Sequence, residues 1–445
     1  MRRRSALAKG EIKPLTLNPR ITNGVFGIFL RENSGRKTVV KIPKLDSSRA
    51  SKRFFRLVGT RGKGEYEARL KSIAGDSFLG PHLPRIVSVD KLGGYESEFV
   101  TGPNLAEVRL HVYRSLSLLP GLDPSALVAA IRALRTHLDD YRAAGGAPCG
   151  DWALHNLVFD IESGAIKNVD LEGFYTYGAT DMEASPAFYK GELEGLADLV
   201  ELAASDAERD KRILAAQSAA WYSTHSGSSY SGTKNFAGYH SMVILGHYFR
   251  GQRECRERLA KVPFDFTQKS VLDVGCNAGG MLHALAGTVA VATGIDYDAR
   301  CINAANIVAA VNGTPNLSFF TLDLEKDDLS QIEVLTIRRK IDICFLLSVC
   351  MWIKNWKDVI TRLSTFCENM LFESNGSALQ QKEQMEFVAT CYEQVLLIQE
   401  GSPDDPGKKE RSLYLCRGSR KLRPSSQEER AASPVAPVAT VGPIR

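Results

Sequence analysis

The feature that most restricts the fold is Val271-Leu272-Asp273-Val274-Gly275-Cys276-Asn277-Ala278-Gly279-Gly280, an apolar run broken by glycines and followed by a helical pattern. It reads as a buried strand turning sharply into a helix, with glycines that let backbone N–H groups approach a ligand where a Cβ would collide. Strand and helix patterns then alternate through Met281 to Leu285, Ala290 to Ile295, Ala299 to Val311, Leu317 to Leu322 and Ile341 to Leu347. Such alternation predicts a parallel sheet covered by helices on both faces.

A glycine-rich turn alone would also suit a dinucleotide enzyme, but Asp273 lies inside the strand and Cys276-Asn277 break the G-x-G-x-x-G spacing. The segment closely resembles motif I of class I S-adenosylmethionine-dependent methyltransferases. Asp342 to Val349 and Cys391 to Cys416 are similar to the fourth strand and closing hairpin of that fold. The resemblance covers residues 269–418 and implies a Rossmann-like α/β domain with S-adenosylmethionine as methyl donor. It places Asp273, Gly275, Cys276, Asn277, Gly279 and Ser348 around the donor. It also implies that Asp296 takes the ribose hydroxyls and that Asp323 takes the adenine amino group, with Leu324 flanking the ring. The plainer alternative for Asp323 is a helix cap ahead of Glu325.

Glu373 follows the fifth strand, at the carboxyl edge where open α/β sheets place ligands, and is a candidate catalytic residue. Trp352 and Trp356 lie on the same edge and are read as packing residues. Upstream, Gly238-Tyr239-His240-Ser241 and Gly251-Gln252-Arg253 resemble a segment that some relatives fold over the donor, which adds His240 and Arg253 as candidates. No D/N-P-P-Y tetrapeptide follows the fourth strand, and this argues against exocyclic base amino groups as acceptors.

The N-terminal half reads differently. Strand patterns at Val25 to Leu30 and Thr38 to Val40 precede a helix from Glu65, strands at Ile86 to Asp90 and Tyr95 to Val100, and a long helix from Pro124. Cys149-Gly150-Asp151-Trp152-Ala153-Leu154-His155-Asn156, followed by Asp170, resembles the HGDxxxxN…D core of aminoglycoside-phosphotransferase-like and lipopolysaccharide kinases, with a two-lobed α+β fold. The resemblance implies ATP and Mg2+, with Asp151 accepting a hydroxyl proton, Asn156 and Asp170 holding the metal, Lys41 on the phosphates and Glu67 as its ion-pair partner. Cys149 replaces the family's histidine, the loop from Asn23 to Gly27 is sparse in glycine, and no A-P-E segment follows Asp170, which disfavours a protein kinase. In domain content the chain resembles the bifunctional enzymes that cap bacterial O-antigen with phosphate and methyl groups, with the domain order reversed.

A chain of 445 residues exceeds one ordinary core and predicts two folded units. The expected division is a flexible basic segment over 1–19, a kinase-like domain over 20–190, a helical linker and cap over 191–268, the methyltransferase over 269–418 and a disordered tail over 419–445. A net charge of +5, with no basic stripe, does not indicate nucleic acid. Nine scattered cysteines suggest neither a disulfide framework nor zinc, and a reducing cytoplasm is expected. The basic start lacks the apolar core of a signal peptide, and the apolar stretch Ile343 to Ile353 is about half a membrane span. The functional expectation is methylation of a sugar or polysaccharide-linked acceptor, coupled to a kinase. The alternative is an RNA (tRNA) methyltransferase whose kinase-like half only binds.

Overall fold

The computed structural model describes residues 12–14, 26–33, 35–43, 63–74, 79–89, 94–143, 152–171, 185–225, 238–337, 339–401 and 411–422. The chain divides into two compact units, Met1–Ser218 and Ala219–Arg445.

The first unit is built on an antiparallel sheet of β1 (Ile12–Pro14), β2 (Phe26–Asn33), β3 (Arg36–Pro43), β4 (Ile86–Val89) and β5 (Tyr95–Glu98), in the order β1-β2-β3-β5-β4. Helix α1 (Lys63–Ala74) lies between β3 and β4 in sequence. Helices α2 (Leu105–Ser115) and α3 (Pro124–Ala143) follow, then the hairpin β6 (Leu157–Asp160) and β7 (Ala165–Asn168). Asn104 and Glu107 form a reciprocal capping box that starts α2.

The stretch expected to open a helical linker at residue 191 holds two helices, α4 (Ser185–Ala204) and α5 (Glu208–His225). Helix α4 lies against the first unit rather than forming a linker. Arg109, on α2, pairs with Glu192 at 3.1 Å, while Arg132 and Arg135, on α3, pair with Glu201 and Glu194 at 2.8 and 2.5 Å. The division at residue 218 therefore differs from the expected one at 190.

The second unit opens with the hairpin β8 (Met242–Ile244) and β9 (His247–Phe249) and the short helix α6 (Cys255–Ala260). The main sheet then forms from β10 (Ser270–Val274), β11 (Val291–Asp296), β12 (Leu317–Thr321), β13 (Ile341–Leu347), β14 (Cys367–Glu373), β15 (Tyr392–Gln399) and β16 (Leu413–Ser419). Its order is β12-β11-β10-β13-β14-β16-β15, parallel except for β16, which runs antiparallel to both neighbours. Helices α7 (Gly280–Leu285), α8 (Ala299–Asn312), α9 (Gln331–Leu335), α10 (Trp356–Leu363) and α11 (Ala378–Cys391) make the crossovers.

Period-two alternation assigns each strand residue to a face. Val271, Ile343, Phe345 and Leu371 pack with Met281, Leu282, Ile302 and Ala305 of α7 and α8. Leu272, Val274, Cys344 and Leu346 face the other way, onto Val359, Ile360 and Leu363 of α10 and Val388 of α11. Both faces are thus covered, which is why these strands are apolar on successive residues rather than on alternate ones. The order reverses on either side of β10, so the carboxyl ends of β10, β11 and β13 open a crevice where this architecture binds ligands.

Candidate functional site

That crevice is a cavity of about 550 Å3. The turn after β10 forms its floor. The N–H groups of Gly275 and Cys276 both donate to the Ile295 carbonyl, at 2.8 and 3.0 Å, tying the turn to β11. Asn277, in the left-handed region with φ 52°, donates its N–H to Asp296 Oδ2 at 2.9 Å, and Asp298 N–H donates to Oδ1 at 2.9 Å. Two backbone donors therefore fix the Asp296 carboxylate at the end of β11 and leave its remaining lone pairs for a ligand.

The structure separates the roles of the turn residues. Asp273, Gly275, Asn277, Asp296, Asp323, Leu324, Ser348 and Glu373 line the cavity. Cys276 instead turns its side chain into the core. Gly279 has φ +72°, and a Cβ on it would stand 2.4 Å from Phe319 Cε1, so its missing side chain makes room for the β12 aromatic. Gly279→Ala is accordingly expected to destabilise the domain by about 1–3 kcal/mol, from backbone strain and overpacking, with chemical denaturation as the measurement. Unchanged denaturation would show that Phe319 can move aside.

Electrostatics divide the carboxylates. Burial, and then the nearby Asp296, push Asp273 up to about 7. Burial also raises Asp296, although its backbone hydrogen bonds oppose the shift. Asp323 lines the cavity, accepts from Glu325 N–H at 3.0 Å and pairs with Lys326 at 2.5 Å. The Lys326 hydrogen bond is the main reason its carboxyl is held below the ordinary value.

At the other end stands a buried hub that the sequence showed only in part. Glu373 is 2% exposed; it takes Arg253 Nη2 at 3.3 Å, pairs with Arg258, and accepts from the Ser348 hydroxyl. Arg411 donates to Ser348 Oγ at 3.2 Å. Burial works to raise the Glu373 carboxyl, but Arg258 and Arg253 hold it below its ordinary value, so it is an anchoring anion and a weak proton acceptor. Arg253 is buried behind this carboxylate, whereas Arg258, on α6, reaches the cavity. His240 lines the cavity at 7% exposure, and no hydrogen-bond partner meets its Nδ1. Burial first, then Arg253 and Arg258, lower its ring to about 3, so it is neutral at physiological pH and suited to orient rather than to remove a proton.

The two tryptophans part company. Trp356 packs edge-on against Phe387 at 5.5 Å, partly buried against the core. Trp352 is 54% exposed and lines the cavity, against the packing expected of it. Tyr297, 65% exposed, also lines the cavity; its position directly after Asp296 was the available signal. Arg258 carried no motif signal at all.

In the first unit, Lys41 is buried on β3, with Nζ 3.0 Å from the Val169 carbonyl and 3.4 Å from Asp170 Oδ1. The buried Asn156 accepts the Val169 N–H on its carbonyl at 2.8 Å, which brings it beside Asp170. Glu67 pairs with Lys71 at 3.0 Å. Asp151 lies outside the described residues. Among the described residues no group of three or more His, Cys, Asp or Glu is placed to hold a metal, and no helix is long and apolar enough to cross a membrane.

Several solved structures are similar to this chain. The N-terminal domain of EvdMO1 with SAH bound is 12% identical, with a TM-score of 0.30, over 37% of this chain and 81% of that one. The bifunctional kinase-methyltransferase WbdD is 22% identical, with a TM-score of 0.32, over 40% and 43%. The N-methyltransferase NodS from Bradyrhizobium japonicum WM9 is 15% identical, with a TM-score of 0.29, over 37% and 93%. Likenesses at these scores identify neither an acceptor nor a second activity.

Among curated proteins, ribosomal RNA small subunit methyltransferase A of Zymomonas mobilis subsp. mobilis is 40% identical over 60 residues, 14% of this chain and only 22% of the length of that protein. Residues 246–393 match the family described as a methyltransferase domain. The second unit is an S-adenosylmethionine-dependent methyltransferase.

Proposed function

We propose that the chain methylates a sugar or polysaccharide-linked acceptor and that its first unit is an ATP- and Mg2+-dependent kinase acting on the same substrate. The observation that carries the methyltransfer reading is the Asp296 carboxylate, fixed by two backbone N–H groups beside the glycine turn. The cavity suits a donor carrying a sulfonium and an ammonium, because Asp273, Asp296, Asp298, Asp323, Glu325 and Glu373 line it against Arg258, Arg300 and Lys326.

In this reading Asp296 holds the ribose, Leu324 and Tyr297 flank the adenine, and Asp323 receives its amino group. The donor supplies a methyl carbon to which the acceptor's electron pair bonds as the carbon–sulfur bond breaks, leaving a neutral thioether. The protein's part is to align the two reactants and exclude water. Neither the lowered His240 nor the arginine-bound Glu373 is a strong base, so a hydroxyl proton leaves to water at the cavity mouth.

Asp273 gives the reading a pH signature. A raised carboxyl keeps its proton in the folded chain from its ordinary range up to about 7, so its contribution to stability is greatest below that range and is lost as pH rises to about 7. A cationic donor favours the ionised form. Donor binding near pH 6 is therefore expected to release up to about one proton and to tighten toward pH 8. Calorimetry in buffers of different ionisation heat measures this, and no release in the parent would argue against Asp273 facing the cation.

The kinase reading is supported by the approach of Lys41 to Asp170, by Asn156 beside it, and by an antiparallel sheet in which α1 follows the lysine-bearing strand. Asp151→Ala and Asp170→Ala are each expected to abolish Mg2+-dependent ATP turnover with a saccharide acceptor. Turnover that persists in both would remove phosphotransfer and leave a binding module.

A further inference from the structure

Trp352 is a large aromatic that the fold holds half in water on a rigid mount. Strand β13 ends at Leu347, and the next residue, Ser348, has a φ of +59° that turns the chain toward the one-turn helix Cys350–Trp352. Asn375, 1% exposed, clamps that turn: its Nδ2 donates to the Ser348 carbonyl at 2.5 Å, and its Oδ1 accepts from Met351 N–H at 3.0 Å. Gln384, 2% exposed on α11, fixes Asn375 in turn, accepting its N–H at 3.1 Å and donating to its carbonyl at 2.9 Å. The same turn presses on the donor loop, since a Cβ on Gly275 would stand 2.6 Å from Val349 Cγ2. A buried, mutually satisfied polar network thus locates a side chain that contributes little to the core.

An indole that is about half exposed offers roughly 100 Å2 of surface, with no ordering required when a ring stacks on it. The charge of the cavity lining restricts what that ring can be. Carboxylates outnumber cations there, Lys326 is engaged by Asp323 and Arg300 by Asp298, and a phosphate backbone meets net repulsion. A ring without charge meets none.

We propose that Trp352 is the acceptor platform and that an uncharged pyranose ring stacks on it, presenting one hydroxyl to the sulfonium methyl. The oxygen bonds to the methyl carbon as the carbon–sulfur bond breaks, and the hydroxyl proton goes to water. This assignment rests on the methyltransfer reading above and adds to it the residue that selects the acceptor ring.

The test uses the full chain saturated with S-adenosylhomocysteine and a mixture of methyl gluco-, galacto-, manno- and 6-deoxyhexopyranosides, followed by saturation-transfer NMR. Ring C–H protons of at least one pyranoside are expected to receive saturation in the parent and in Trp352→Phe, and to lose it in Trp352→Ala as binding weakens by about tenfold or more. S-adenosylhomocysteine affinity should stay within about twofold in both variants. If Trp352→Ala instead loses S-adenosylhomocysteine and keeps the pyranoside, the indole covers the donor and the proposal is overturned. Parent protein that binds the product but no pyranoside, or that binds an oligoribonucleotide in its place, overturns it as well. Failure of the parent to bind S-adenosylhomocysteine at all would strike the underlying methyltransfer reading instead.

Discussion

Asp296→Ala is expected to weaken S-adenosylmethionine binding by on the order of 100-fold. Hydrogen bonds to a charged partner are worth about 1.5–3 kcal/mol each, and a ribose presents two hydroxyls, so the loss is at least ~3 kcal/mol. At about 1.4 kcal/mol per tenfold, that exceeds two decades. The same carboxylate receives the N–H groups of Asn277 and Asp298, so its removal also frees the turn that forms the floor of the cavity. Asp296→Asn retains one oxygen acceptor and should fall between the two, near tenfold. Calorimetry on the full chain gives the affinities, and circular dichroism separates a binding loss from unfolding. A folded alanine variant that binds the donor within about threefold of the parent would take Asp296 out of the site.

The parts of this site that were legible in the sequence are local. The run from Val271 to Gly280 specifies a strand, a turn and a helix through its own residues, Asp296 ends the strand pattern of β11, and Asp323 follows that of β12. What escaped depends on contacts between distant segments. Arg258 sits on a short helix without motif or periodicity, and its meaning comes from Glu373 on β14. Gly279 advertised a tight turn, but the atom that forbids its Cβ belongs to Phe319, two strands away. Trp352 falls inside the apolar stretch that reads as core, and only the backbone reversal at Ser348 moves it to the rim. The place of α4 in the first unit was hidden for a similar reason: a helical pattern reports a helix, while the surface that buries its Leu193, Leu196 and Val200 comes from distant segments.

Glu373 makes the largest stability prediction. Its carboxylate is the shared counter-charge of two guanidinium groups in a dry part of the domain, and both of its oxygens are engaged. Removing one partner from such a cluster leaves uncompensated buried charge and is typically destabilising by about 3–5 kcal/mol. A domain of this size shifts by about 2–4 °C per kcal/mol, so Glu373→Ala is expected to lower melting of the methyltransferase unit by about 10 °C. Glu373→Gln preserves shape and the Ser348 contact but not the charge, and should lose nearly as much. The pH dependence has a definite sign. A carboxyl held below its ordinary value stabilises the fold above that value, and the contribution drains away as pH falls through the lowered one. The parent should therefore weaken on the acid side more steeply than either variant. Scanning calorimetry as a function of pH measures both effects together. Melting of the alanine variant within about 2 °C of the parent would mean that water reaches the arginines and that the hub is not the dry ion cluster described.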